Sequence, residues 1–265
     1  MYKRRLYQIP KQWSYCQTNS FNMEDANSSI TVYLQSDPGD IRSTVINELL
    51  DLRMQEPCFD VLRTQLQLGY TVYCQNLVTN GIMGLAVQFQ AHKFTMHEVD
   101  NHIEDFLNKF KEMLDEMSKE EFDTLVESLI AAKLTEDTQL EEEVNRNWGE
   151  CKEQNYVFDR QEKEVAILRT LTLEDLKNWY KQYLGENQKR ISFQVLGNPE
   201  VEQVEGKGDE VEPSQKKANT DKRDREQSYI VRPVKDCNYP DHQCISDIQQ
   251  LRSKLTMFDY HCITN

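Results

Sequence analysis

The chain has 265 residues, 38% of them hydrophobic and 29% charged, and a formal net charge of −14, enough for one sizeable core, or one core and a tail. An acidic balance of this size works against binding nucleic acid, whose phosphates it repels, and against an anionic membrane surface, whereas a basic peptide suits it. The seven cysteines (Cys16, Cys58, Cys74, Cys151, Cys237, Cys244, Cys262) are odd in number and hold no Cys-x-x-Cys pair, which speaks against a disulfide framework or zinc ribbon and for free thiols in a reducing compartment.

In chain order, Met1 to Pro10 lack the apolar core of a signal peptide and no run is long enough to span a bilayer. The expectation is a cytoplasmic chain without a membrane anchor. Trp13 to Thr18 and Ile30 to Gln35 read as strands, the second alternating and rich in β-branched residues. Ser36-Asp37-Pro38-Gly39-Asp40 is a turn whose Asp40 is placed to cap a helix with Ile41, Val45, Leu49 and Leu52 on one face. The segment Glu56 to Leu66 reads as a second, short amphipathic helix burying Phe59, Leu62 and Leu66 and running into a strand through Leu68-Gly69-Tyr70. Strands Tyr70 to Leu77 and Ile82 to Gln90 flank Thr79-Asn80-Gly81, which predicts an antiparallel hairpin.

From Met96 the pattern turns helical, with Val99, Ile103, Phe106, Phe110 and Met113 as one stripe. Ser118-Lys119-Glu120-Glu121 is a capping box opening a helix that buries Phe122, Leu125, Leu129 and Ile130. Helices follow around Leu140–Lys152, Gln161–Leu168 and Thr172–Leu184, and Ile191 to Leu196 returns as a strand. Trp148, Tyr156 and Phe158 read as core aromatics of this helical layer. Residues 1–198 therefore form one α+β domain, a mostly antiparallel sheet covered on one face by helices. Residues 199–227, crowded with charge, read as a disordered loop, and 228–265 regain apolar residues as a tail docking on the domain.

The chemistry concentrates at Arg63 and Tyr70. A helix meeting a strand can hold a permanent cation and a phenol in fixed relation, two donors able to bind a carbonyl or a developing oxyanion without reorganising. The plainer reading of the same two residues is a solvated charge and a packing aromatic. His97-Glu98-Val99-Asp100-Asn101-His102 imitates the zincin pattern with one residue too many; histidines five apart on a helix point about 140° from each other and cannot easily share one metal. His92, His242 and His261 form no ligand set either, and no Gly-rich phosphate loop or Gly-x-Ser-x-Gly elbow is present. The acidic run Glu141-Glu142-Glu143 reads as a solvated helix face before it reads as a contact for a basic substrate.

Glu56-Pro57-Cys58-Phe59, Leu62-Arg63-Thr64 and Gln67-Leu68-Gly69-Tyr70-Thr71-Val72 together resemble a segment in the C-terminal half of the pitrilysin/insulin-degrading-enzyme metallopeptidases. Val144 to Glu150 and Gln154 to Arg160 resemble the same family in the same order. The acidic residues before Arg146-Asn147-Trp148 and the closing Ile245-Ser246-Asp247-Ile248, Leu255 and Tyr260-His261 look most like its nardilysin-like branch. The resemblance implies a pitrilysin-type fold and a C-terminal, substrate-binding and chamber-closing part of a zinc metalloendopeptidase. It implies Tyr70 as the donor to the scissile carbonyl or oxyanion and Arg63 as a substrate-binding residue. The family's inverted His-x-x-Glu-His motif is absent, so this chain is expected to bind no metal and not to cleave peptides alone. Zinc is expected in an N-terminal metallopeptidase half, the implied partner along with a peptide, a basic one suiting the charge. The alternative is a non-catalytic peptide- or protein-binding domain that kept the fold.

Overall fold

The computed structural model describes residues 6–11, 13–22, 24–67, 69, 71–91, 94–185, 188–198, 243–259 and 262–263. Strands β1 (Ser14–Asn19), β2 (Ser28–Pro38), β3 (Thr71–Thr79), β4 (Ile82–Ala91), β5 (Lys189–Leu196) and β6 (Gln243–Cys244) form one sheet in the order β3-β4-β2-β5-β1-β6. Three of its five pairings are antiparallel, and the two flanking β1 are parallel. The helices are α1 (Ile41–Phe59), continued by a π-turn over Asp60–Gln65, α2 (Met96–Asp115), α3 (Lys119–Lys133), α4 (Leu140–Glu153), α5 (Arg160–Leu168), α6 (Leu173–Tyr183) and α7 (Ile248–Lys254).

Strand periodicity decides which face the helices cover. Ile30, Val32 and Leu34 of β2 and Leu85, Val87 and Phe89 of β4 are buried in a core shared with Val45, Leu49 and Leu50 of α1 and Ile103, Phe106 and Phe110 of α2. Each such side chain contributes about 1.5–3 kcal/mol on leaving water. Asp40 caps α1 by accepting from the Ser43 amide at 2.7 Å, and Asn80 and Gly81 take positive φ in the β3–β4 hairpin, as a tight two-residue turn demands. The Ser118–Glu121 box caps α3, and matching boxes form at Thr95–Glu98 of α2 and Thr172–Asp175 of α6.

Residues 243–251 return to the sheet. β6 pairs with β1, and Ile245, Ile248 and Leu251 pack with Cys16 and Ile191. The expected loop over 199–227 lies outside the described residues.

Three expectations need correction. Glu56–Leu66 is not a separate helix: α1 runs through the buried Pro57 to Phe59 and then widens into the π-turn, where the Leu66 amide bonds the Val61 carbonyl at 3.1 Å. Phe59, the last residue of α1, falls off the buried face that runs through Met54 and Cys58 and is 43% exposed, and in the turn that follows Leu62 is buried while Leu66 is 39% exposed. Leu52 is also exposed, because the face of α1 on the sheet runs through Val45, Leu49 and Leu50 to Met54 and Cys58. Trp148, Tyr156 and Phe158 are not core aromatics; all three stand in solvent.

Candidate functional site

Arg63 stands on the π-turn where α1 hands over to β3. Leu62, fully buried, pins the turn to the core, so its neighbour's position is set by a packed side chain. The Arg63 side chain is exposed, its guanidinium carbon 4.7 Å from the centre of the Phe59 ring, a distance at which an aromatic face attracts a cation. Asp60, the nearest carboxylate along the turn, is occupied by the Gln65 amide at 2.7 Å. Among the described residues no carboxylate pairs with Arg63. π-turns of this kind occur disproportionately at functional sites.

Between the π-turn and β3 the described residues are closely constrained. Gln67 adopts the left-handed conformation at φ 50°. Gly69 then lies so close to β4 that a Cβ there would fall 2.0 Å from the Gln90 carbonyl oxygen, and Thr71 pairs with the same Gln90 in the ladder. Tyr70 itself lies outside the described residues, between two neighbours that both sit against Gln90. The structure thus describes one of the two residues singled out by the sequence and the immediate flanks of the other. What sequence reasoning missed is the role of Phe59, read as a core residue; its spacing of four from Arg63 on a helix was the available signal.

Other reactive groups nearby are quiet. Cys58 and Cys74 are buried, and the Cys74 thiol is pushed far up by its hydrogen bond with Cys58, by burial and by the charges of Cys58 and Asp51. Neither is poised as a nucleophile. Burial also raises Asp51, against hydrogen bonds from Gln55 and Asn76. His97 and His102 lie on α2, five residues apart. Among the described residues no three His, Cys, Asp or Glu side chains converge as metal ligands.

The architecture is that of an M16-type peptidase domain. The crystal structure of pitrilysin matches it with a TM-score of 0.69 at 17% identity, over 98% of this chain and 24% of that one. A peptidase M16 inactive domain from Pseudomonas fluorescens matches with a TM-score of 0.51 at 14% identity, over 69% of this chain and 42% of that one. A family model described as PQQ synthase PqqF-like, C-terminal lobe domain 4, matches residues 49–148, which include the π-turn, β3, β4 and most of the helical layer. Human nardilysin is 37% identical over 265 residues, 98% of this chain, and human insulin-degrading enzyme 37% identical over 176 residues, 64% of this chain. The chain belongs to the pitrilysin/insulinase metallopeptidase family, as a domain of its C-terminal lobe. It spans 22% of the length of human nardilysin and 17% of that of human insulin-degrading enzyme.

Proposed function

We propose that this chain is the substrate-binding, chamber-closing part of a nardilysin-like zinc metalloendopeptidase, acting on a peptide held against an amino-terminal half that carries the metal. In this reading Tyr70 donates its phenolic hydrogen to the scissile carbonyl oxygen as negative charge develops there, and Arg63 directs its fork of donors at the substrate backbone. The observation that carries the reading is the exposed Arg63 on a turn pinned by Leu62, with no carboxylate partner among the described residues. Gly69 and Thr71, on either side of Tyr70 in the sequence, both lie against Gln90, and donors held in advance stabilise a transition state better than donors that must first be ordered. The net charge of −14 favours a basic peptide. Free thiols at Cys58 and Cys74 are in keeping with a cytoplasmic location.

The test is reconstitution with the amino-terminal zinc half of a related enzyme. Cleavage should appear on mixing. Tyr70→Phe should lower kcat about 100- to 1,000-fold, the usual loss for one oxyanion donor, without changing the affinity of the two halves. A second reading, a binding domain that retained the fold without the chemistry, is favoured by the likeness to an inactive M16 domain. Peptides that bind but are never cut, with Tyr70→Phe indistinguishable from wild type, would establish that reading instead.

A further inference from the structure

Helix α4 has fourteen residues and buries only one of them, Glu150. Its apolar side chains Leu140, Val144 and Trp148 recur every four residues along one flank and are 78%, 56% and 65% exposed. A helix of this length is marginal in water and gains most of its stability from covering an apolar face. Here that face is bare among the described residues.

The loop after α4 extends the same feature. Tyr156 and Phe158 are 58% and 54% exposed, and Tyr156 is held at φ 56°, a backbone conformation that disfavours any bulky side chain. The strain is fixed in place from behind. The Glu150 carbonyl accepts from the amides of Asn155 and Tyr156 at 3.0 and 3.3 Å, and its carboxylate accepts from the Val157 amide at 3.0 Å and from Arg160. Arg160 and Asn155 in turn bond Ile263, at 3.2 and 2.8 Å. Four elements are thus tied together to keep two aromatic rings and a tryptophan flank in solvent.

We propose that α4 and this loop form a docking face for the amino-terminal part of a pitrilysin/insulinase-family metallopeptidase, which meets it with an apolar centre and a rim of lysine and arginine. The inference rests on the function proposed above and names the surface by which that partner is held. Two observations choose the occupant. The chain spans 22% of human nardilysin, so a relative of that length carries the remaining polypeptide to cover the face. The surroundings of the apolar flank are acidic: Glu141, Glu142, Glu143 and Glu153 are exposed, and Arg146 is already paired with Asp137 at 2.6 Å. A basic rim on the partner answers that charge and sets a salt-sensitive association rate.

The experiment titrates the full chain with the amino-terminal zinc half of a related enzyme, following binding by sedimentation and by Trp148 emission, isolated as the difference between wild type and Trp148→Phe. The proposal expects a solvent-exposed emission in the chain alone, a blue shift on binding, and a Kd at least tenfold weaker for Trp148→Ser. Phe21→Ser, removing another exposed aromatic, should bind as wild type. Tyr156→Gly separates docking from folding: relief of strain should raise the Tm of the isolated chain by about 2–4 °C while weakening the complex at least tenfold. Normal binding by Trp148→Ser overturns this surface and leaves the proposed function standing. Failure of the wild-type chain to bind overturns both. A buried Trp148 emission in the monomeric chain alone, or self-association that Trp148→Ser abolishes, overturns the proposal in favour of cover by this chain's own residues or by a second copy.

Discussion

Two residues show how single side chains set the geometry here. Gly69 is required by proximity: a methyl group 2.0 Å from the Gln90 carbonyl oxygen must displace backbone on one side or the other. Gly69→Ala should therefore cost about 1–3 kcal/mol, the range for overpacking a fitted site, read from urea denaturation, and should impair any activity that depends on Tyr70. Glu164 makes a pH argument. Lys133 sits 2.6 Å from both Glu48 and Glu164; burial works against its charge, but the two carboxylates more than offset that and hold its pKa above normal. One ammonium between two carboxylates cannot fully compensate burial of the second, so Glu164 is raised above its usual 4.5. The folded chain then keeps that proton longer than the unfolded chain, and stability is lost as pH rises from about 4.5 through the folded value. Wild type should lose Tm relative to Glu164→Gln across that window; a difference that does not change with pH would refute it. At this scale the ring partner of Arg63 was not legible in the sequence: Phe59 fits the apolar stripe of a short helix starting at Glu56, whereas in the continuous α1 the buried face runs through Met54 and Cys58 and leaves Phe59 outside it.

At the scale of elements, the β3–β4 hairpin, the Ser118 box and the helix starting at Met96 followed directly from turn chemistry, capping and periodicity. The junction after α1 did not, because Glu56 to Leu66 read as a helix of its own where α1 in fact continues through the buried Pro57. Helix α4 was legible as a helix but not as an exposed one. Leu140, Val144 and Trp148 make an apolar stripe that periodicity alone reads as buried, whereas all three are exposed. Gly149, beside Trp148, has no atom within 4 Å of where a Cβ would stand. Gly149→Ala should stabilise the isolated chain by about 1 kcal/mol through helix propensity alone, measurable as a higher Tm.

For the whole molecule, the join between sheet and helices rests on a charged cluster as well as on apolar packing. Arg190 of β5, 2% exposed, bonds Asp100 of α2 at 2.5 Å, pairs with Glu104, and lies 4.5 Å from the centre of the Trp13 ring. Burial pushes the Glu104 carboxyl up, with Arg190 opposing it. Asp100→Ala leaves this cation short of a partner in the interior and should cost about 3–5 kcal/mol, a loss calorimetry would show. None of that was legible, since Arg190 is distant in sequence from Asp100 and Glu104; nor was the parallel pairing of β1, which no local pattern encodes. The sheet order has one more consequence. Among the described residues β3 is one of its two outermost strands, and Thr71–Thr79 contains no lysine, arginine, acid or proline, the residues that usually guard an open edge. Colloidal behaviour then depends on long-range repulsion: with a net charge of −14 the chains keep apart in dilute buffer, and salt that screens this charge frees one sheet to continue into the next.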